Sequence, residues 1–144
     1  MAFDILVPVD FSSASDLALG WAADLVKQCG GKIHLVHVLR LIPPTVMPEP
    51  VMVAYPEPED QEEFKKLLAE NATKHGIANA SRDVVVAPHI GEEVVARAKS
   101  LGVNLIVMGT HGRGGVARFV MGSVAEHIVR HADCPVVTLR APHK

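Results

Sequence analysis

Five short aliphatic runs alternate along this chain with four longer segments of helical periodicity. Near-continuous Val, Ile and Leu suit the strands of a parallel sheet that is covered on both faces. Strands that alternate with helices throughout a chain predict a doubly wound α/β fold. The predicted strands are Ile5–Val9, Ile33–Leu39, Val84–Ala87, Leu105–Met108 and Pro135–Leu139.

Capping residues and charge set the ends of the predicted helices. The first begins at Ser12 or Ser13 and ends at Gly30, and the fourth runs from Ser123 to about Ala132. The second and third span about 59–75 and 92–100. The residues predicted to face the sheet are Ala14, Leu17, Ala18, Trp21, Ala22, Leu25 and Cys29, then Phe64, Leu67, Leu68 and Ala72, then Val124, Ala125, Ile128 and Val129.

Length and charge exclude several classes of protein. A chain of 144 residues suits one domain, 1–144, that can bury a substantial core. With 14 basic and 16 acidic residues the net charge is −2, so no nucleic-acid partner is predicted. No apolar run approaches the roughly 18 residues of a membrane span, so no membrane association is predicted and a cytoplasmic location is expected.

A proline-rich loop is predicted at about 41–58, after the second strand. It holds six of the ten prolines, a density that excludes a regular helix or an interior strand. Long loops in compact domains often have a function. A simple connection, an oligomer contact and a cover over a ligand site all remain open.

A glycine pattern directly follows the fourth predicted strand. Gly109 and Gly112 are separated by two residues, and nine further residues precede Gly122 and Ser123. Glycine permits positive φ and close approach of a ligand, Ser123 is a favoured N-cap, and a helix N-terminus attracts anions. Glycines in this position can also be simple turn formers. Because all four small residues lie between a strand and a helix, nucleotide binding is the favoured interpretation.

Asp10 directly follows the first predicted strand. In an open parallel sheet, ligands bind beyond the carboxyl ends of the strands where the strand order reverses. If the first and fourth strands are neighbours there, Asp10 and Gly109 face one crevice, and Asp10 could accept hydrogen bonds from ribose hydroxyls. The alternative role for Asp10 is an N-terminal cap of the first helix.

The histidines and cysteines give no metal-site prediction. His127 and His131 have the i, i+4 spacing of metal ligands, but the H-E-x-x-H pattern is absent, and a surface pair is expected. His34 and His37 should point to opposite faces of their strand. Cys29 and Cys134 are too isolated for a disulfide framework and are predicted to be small core residues.

Catalytic signatures are missing from the sequence. It contains no G-x-x-x-x-G-K-[ST] motif and no nucleophile elbow, and we assign no catalytic residue. Enzymatic activity is therefore uncertain, and at most weak ATP hydrolysis or self-phosphorylation is expected, with Ser123 or His111 as the nearby nucleophiles.

The chain resembles the ATP-binding branch of the universal stress proteins, whose pattern is Gly-x-x-Gly, nine residues, Gly-Ser/Thr. The glycine pattern matches completely. The resemblance continues at Pro8-Val9-Asp10-Phe11-Ser12, at His37-Val38, at Met108 and at Cys134-Pro135-Val136-Val137. It implies a five-stranded parallel sheet of order 3-2-1-4-5 with a nucleotide at the switch point.

The resemblance implies ATP or AMP as ligand, and Mg²⁺ could accompany the phosphates. The Val38 backbone would meet the adenine, Asp10 the ribose or base edge, and Gly109 the ribose. Arg113, inside the glycine loop, could reach the β- or γ-phosphate, as could His111, with a solvated side chain as the alternative for both. The site residues so assigned are Pro8, Val9, Asp10, Val38, Met108, Gly109, Gly112, Arg113, Gly122, Ser123 and Val124.

The same resemblance implies a homodimer formed by the last strands, here Pro135–Leu139, and a higher oligomer is left open. The favoured function is that of an ATP- or AMP-binding protein in stress response or signalling. Two alternatives remain. One is a slow ATPase or nucleotidyl-transfer enzyme on the same scaffold, and the other is a dimeric adaptor that works without nucleotide.

Overall fold

The computed structural model describes residues 2–41, 58–110 and 121–141. A five-stranded sheet has the order β3-β2-β1-β4-β5, and every pair of neighbouring strands is parallel. This confirms the predicted doubly wound α/β fold and the strand order that the resemblance implied. The strands are β1 (Phe3–Pro8), β2 (Gly31–Arg40), β3 (Ser81–Ala87), β4 (Leu105–Gly109) and β5 (Val136–Leu139).

Four helices lie between the strands at the predicted places. They are α1 (Ser13–Cys29), α2 (Pro58–Lys74), α3 (Ile90–Leu101) and α4 (Ser123–His131). Ser12 caps α1, because its side chain accepts a hydrogen bond from the Ser15 amide at 3.1 Å. Gly30 ends this helix with φ of 82°, a conformation that glycine adopts without steric cost.

Each face of the sheet has its own hydrophobic core. Ile5 and Val7 of β1 belong to a cluster with residues of α1 and α2, whereas Leu6 belongs to a cluster with residues of α3 and α4. Successive side chains of a strand point to opposite faces, so helices must cover both sides of β1. The near-continuous apolar runs of the sequence are thereby explained.

The buried face of α1 differs from the predicted one. Leu17 and Trp21 are 41% and 40% exposed, and Cys29 is also exposed, so their placement in the core was wrong. The helix lies so close to the sheet that a Cβ on Gly109 would be 2.7 Å from the Ala14 Cβ. Mostly small side chains fit this interface. The buried residues of α1 are Ala14, Ser15, Ala18, Leu19, Ala22 and Ala23.

The other helices follow their predicted faces more closely. Leu68 and Ala72 of α2 and Ile128 of α4 are buried, but Val129 is 46% exposed, which corrects its prediction. Cys134 is half-buried against the second cluster, and burial raises the pKa of its thiol. The predicted proline-rich loop lies outside the described residues except at its ends. None of the helices in the described ranges combines the length and apolar character of a membrane span.

Candidate functional site

A crevice of about 600 Å³, measured out to open solvent, lies beyond the carboxyl ends of β1, β2 and β4. Within the sheet, β2 lies on one side of β1 and β4 on the other, so the direction in which strands are added reverses at β1. The crevice is therefore at the switch point, where ligands bind in folds of this type. The predicted site residues that line it are Pro8, Val9, Asp10, Val38, Gly109 and Val124.

The other predicted site residues have different positions. Met108 is 5% exposed in the second core cluster and is not among the crevice-lining residues that the structure describes. Ser123 lines a neighbouring cavity, and Gly122 directly precedes α4. Gly112 and Arg113, together with His111, lie outside the described residues.

Asp10 occupies a tight turn between β1 and α1. Its Oδ1 accepts a hydrogen bond from the Ser12 amide at 2.9 Å, and its own amide donates to Ser15 Oγ at 3.2 Å. Ser12, rather than Asp10, caps α1, so the alternative capping role for Asp10 was wrong. Within the described part of the chain, Oδ2 of Asp10 has no partner and can accept a hydrogen bond from a ligand.

Neither of the glycines described at the site has the expected positive φ. Gly122 has φ of −61°, and Gly109 is not among the described glycines with positive φ. Gly109 instead makes room for α1, because a Cβ there would also lie 2.9 Å from the Ala14 carbonyl carbon. Its lack of a side chain is thus explained by packing.

The N-terminus of α4 faces the crevice, and its first amides have no partner among the residues that the structure describes. The first helical hydrogen bond runs from the Glu126 amide to the Gly122 carbonyl at 3.0 Å, and no side chain of the described ranges caps the helix. The amides of residues 123–125 therefore have no helical partner. Ser123 is the first helical residue and Gly122 the N-cap, which corrects the prediction that Ser123 caps the helix.

One hydrogen bond closes the base of the glycine loop. The Gly122 amide donates to the Thr110 carbonyl at 2.8 Å, and the Thr110 amide donates to the Leu139 carbonyl at 2.9 Å. The chain thus leaves β4 and enters α4 at one fixed place beside β5. This places the open end of α4 against the crevice.

A second cavity, of about 510 Å³, adjoins the crevice and shares Ile90 and Val124 with it. Its lining includes Arg40, His89 and His127. These side chains make its surface more basic than that of the crevice, although the carboxylate of Glu92 is also present. The cavity lies next to the open amides of α4 and extends the space available to an anionic ligand.

The histidines of β2 point to opposite faces, as predicted. His37 Nδ1 donates to the Val9 carbonyl at 2.6 Å, and His34 Nδ1 lies 2.6 Å from Ser81 Oγ. On α4, the rings of His127 and His131 are 4.3 Å apart. No group of three His, Cys, Asp or Glu side chains that could hold a metal occurs in the described ranges.

Sequence reasoning missed several crevice residues. Thr110 and Ala125 directly follow Gly109 and Val124, which are both predicted site residues. Their positions next to the glycine pattern could therefore have identified them. Ser15 and His37 line the crevice from α1 and β2. For Ser15 the signal was its position three residues after the N-cap, where its amide bonds Ser12 and its hydroxyl can reach back to Asp10. Ile90 comes from the start of α3, and no sequence pattern pointed to it.

Comparison with known proteins identifies relatives along the whole domain. The model of the universal stress protein family matches residues 1–140. A universal stress protein of Methanocaldococcus jannaschii is 28% identical over 143 residues, which cover 97% of this chain and 83% of the relative. A putative universal stress protein of Staphylococcus haemolyticus is 33% identical over 140 residues, covering 95% and 84%.

Solved structures share the fold. A universal stress protein from Archaeoglobus fulgidus, in complex with dAMP, has a TM-score of 0.67 at 22% identity, with 96% of this chain and 98% of that chain covered. A universal stress protein in complex with cAMP has a TM-score of 0.68 at 17% identity, with the same coverage. From the family match and these relatives, this chain belongs to the universal stress protein family.

Proposed function

We propose that this protein binds an adenine nucleotide, ATP or AMP, in the crevice and acts as a nucleotide-dependent stress-response or signalling protein. The observation that carries the proposal is one crevice lined both by Asp10, whose Oδ2 has no partner among the described residues, and by the first turn of α4, whose amides have none there either. The crevice is lined mostly by apolar residues with a few polar groups among them, which is typical of small-molecule sites. The dAMP and cAMP complexes of two fold relatives support the same ligand class.

The lining suggests how the nucleotide would lie. Pro8 and Val38 offer an apolar surface to the base. A contact from the Val38 backbone to the adenine stays a prediction. Asp10 Oδ2 would accept from a ribose hydroxyl. The phosphates would then meet the α4 amides, where the helix dipole favours negative charge. Contacts from Gly112 and Arg113 to the phosphates stay predictions.

Hydrogen bonds from the α4 amides to the phosphates would supply much of the binding free energy. Each charge-assisted hydrogen bond contributes about 1.5–3 kcal/mol, and α4 offers three amides, those of residues 123–125. A micromolar complex needs about 8 kcal/mol in total, so these bonds and apolar contacts to the base suffice. Micromolar binding therefore needs no catalytic group. Mg²⁺ would bind through the nucleotide phosphates, as it commonly does at nucleotide sites.

We also propose that the protein forms a homodimer through β5. This strand lies at the edge of the sheet, and all four of its residues are half-buried. An edge strand presents unpaired backbone groups that a second copy can pair. A dimer would extend the sheet from one protomer into its partner.

Calorimetric titration with ATP, AMP and adenosine tests the nucleotide proposal. We expect micromolar binding of ATP, and adenosine should bind more weakly because it lacks the groups that the α4 amides recognise. Gly122→Asp should lower ATP affinity at least about tenfold, because the new carboxylate caps the amides and repels phosphate. Gly122→Ala is the matched control, since alanine tolerates the φ of −61°. Failure of the natural protein to bind either nucleotide at millimolar concentration would overturn the proposal.

A further inference from the structure

Phe11 has an unusual backbone conformation at the edge of the crevice. Its φ is 63°, and it is the one non-glycine residue with positive φ in the described ranges. This left-handed conformation is unfavourable for a bulky residue and persists only where surrounding contacts impose it. Phe11 stands between Asp10, which lines the crevice, and Ser12, which caps α1. Its conformation therefore decides how the Asp10 turn is directed.

Three aromatic rings surround this turn. The Phe11 ring lies 4.8 Å from that of His37 and 5.9 Å from that of Phe64, centroid to centroid, and the His37 and Phe64 rings are 4.6 Å apart. Phe11 and Phe64 are stacked, with 20° between their planes. We refer to Phe11, His37 and Phe64 as the aromatic cluster. It joins the turn, β2 and α2.

The members of the cluster have different attachments. His37 donates from Nδ1 to the Val9 carbonyl, which fixes the end of β1 to β2. Phe11 is continuous with the turn, in which the Asp10 carboxylate accepts from the Ser12 amide. Phe64 belongs to α2, a separate element of the fold. Phe64 is thus the member through which the position of α2 can influence the turn.

We infer that α2, through the packing of Phe64 against Phe11 and His37, holds the Asp10 turn in its ligand-binding conformation. Phe11 and Phe64 are then positioning residues for nucleotide binding rather than ligand contacts. The inference rests on the proposed function, because it concerns the affinity of the same crevice. Since coupling is reciprocal, bound nucleotide should in turn stabilise α2 against local unfolding. Whatever contacts α2 from outside would thereby regulate nucleotide affinity.

Substitutions in α2 test the inference. Phe64→Leu keeps an apolar side chain but removes the ring, and we expect about a three- to tenfold loss of ATP and AMP affinity. Phe64→Tyr should bind both nucleotides within about twofold of the affinity of the natural protein, because the ring is retained. Leu67→Ala is the matched control: it also removes half-buried apolar atoms from α2 but lies outside the aromatic cluster. It should lower thermal stability without changing affinity.

A double-mutant cycle tests whether Phe64 acts on the crevice through Phe11. Phe11→Gly removes a ring while allowing the positive φ, and it should lower affinity by a similar factor. The double variant Phe11→Gly with Phe64→Leu should lose little more than either single variant, because both remove one stacking contact. Additive losses would overturn the inference that the two residues act together.

Hydrogen exchange of the natural protein supplies a test that requires no variant. With saturating ATP, the amides of α2 should be more protected than without nucleotide, and Phe64→Leu should remove the difference. If ATP binds but leaves α2 protection and the affinity of the Phe64 variant unchanged, the inference is wrong and the nucleotide proposal stands. If neither ATP nor AMP binds the natural protein, the proposed function fails and the inference fails with it.

Discussion

His75 Nε2 lies 2.8 Å from Asp16 Oδ1 and connects the end of α2 to the first turn of α1. Lys74 Nζ contacts the other oxygen of the same carboxylate at 3.0 Å, and Lys27 Nζ donates to the His75 carbonyl at 3.0 Å. Gly20 makes room for the imidazole, since a Cβ there would lie 3.3 Å from the His75 ring. The packing of α2 on α1 therefore depends in part on the charge of the Asp16 carboxylate.

Stability should depend on pH through Asp16. Burial raises the pKa of this carboxyl, but hydrogen bonds and charges from His75 and Lys74 outweigh burial and lower it. A folded-state pKa below the unfolded value means that the carboxylate stabilises the fold above about pH 4 and loses this effect as pH falls through the folded-state pKa. The side chain is 38% exposed, so screening limits the effect to about 1 kcal/mol or less.

Urea unfolding of the natural protein and of Asp16→Asn checks this prediction. At about pH 6 the variant should have the lower free energy of unfolding, and the difference should narrow toward about pH 3. Added salt should reduce the difference at the higher pH. A difference that is constant across this range would contradict an ionic origin.

Gly109→Ala should destabilise the fold by about 1–3 kcal/mol, because the new methyl group would overlap Ala14. Chemical denaturation without nucleotide measures the change. Ala14→Gly in the same chain should recover part of the loss, since it removes the methyl group in closest contact but not the neighbouring backbone. If Gly109→Ala is as stable as the natural protein and only loses nucleotide affinity, ligand approach rather than packing requires the glycine.

Asp10→Asn should weaken AMP binding about tenfold, because a charged acceptor for the ribose is replaced by a neutral one. The amide oxygen can still accept from the Ser12 amide, so the turn is kept. A dideoxy analogue of AMP, which lacks both ribose hydroxyls, is the matched ligand. Asp10→Asn should change the affinity for this analogue little. An equal loss of affinity for AMP and for the analogue would contradict a contact between Asp10 and the ribose.

Thr138→Pro should shift the protein from dimer to monomer. The Ile106 and Thr110 amides donate to the carbonyls of Pro135 and Leu139, so the alternate residues of β5 direct their backbone groups to the open edge. Proline at 138 removes one outward amide without breaking a bond to β4. Analytical ultracentrifugation measures the change, with Thr138→Val as control. A natural protein that is monomeric at all concentrations would contradict the proposed dimer.

The sequence predicted the elements of the fold because the local signals agreed with the final structure. Val and Ile runs became strands, and Ser12 and Gly30 mark the ends of α1 as their capping preferences indicate. The face of α1 was not predictable in this way. Leu17 and Trp21 are more hydrophobic than alanine, but the closeness of the helix to Gly109 selects side chains by volume.

The location of the site was predictable for a topological reason. Once β1 and β4 are neighbours, Asp10 and Gly109 must meet beyond their carboxyl ends, and both line the crevice. The conformation of Phe11 was not predictable, because the aromatic side chains that it contacts come from β2 and α2, which are distant in sequence. The position of the N-cap at Gly122 was likewise not predictable, because the bond from the Gly122 amide to Thr110 joins residues at the two ends of the glycine pattern.

The hydrogen bond between Thr110 and Gly122 holds together the two ends of the connection from β4 to α4. The relative position of these ends therefore does not depend on the length of the connection. For a chain segment whose ends are already held together, doubling its length adds only about 0.6 kcal/mol of closure entropy. Insertions or deletions between these two residues should therefore leave β4 and α4 in register. Ligand preference could then diversify among relatives by exchange of this one connection, without redesign of the scaffold that carries it.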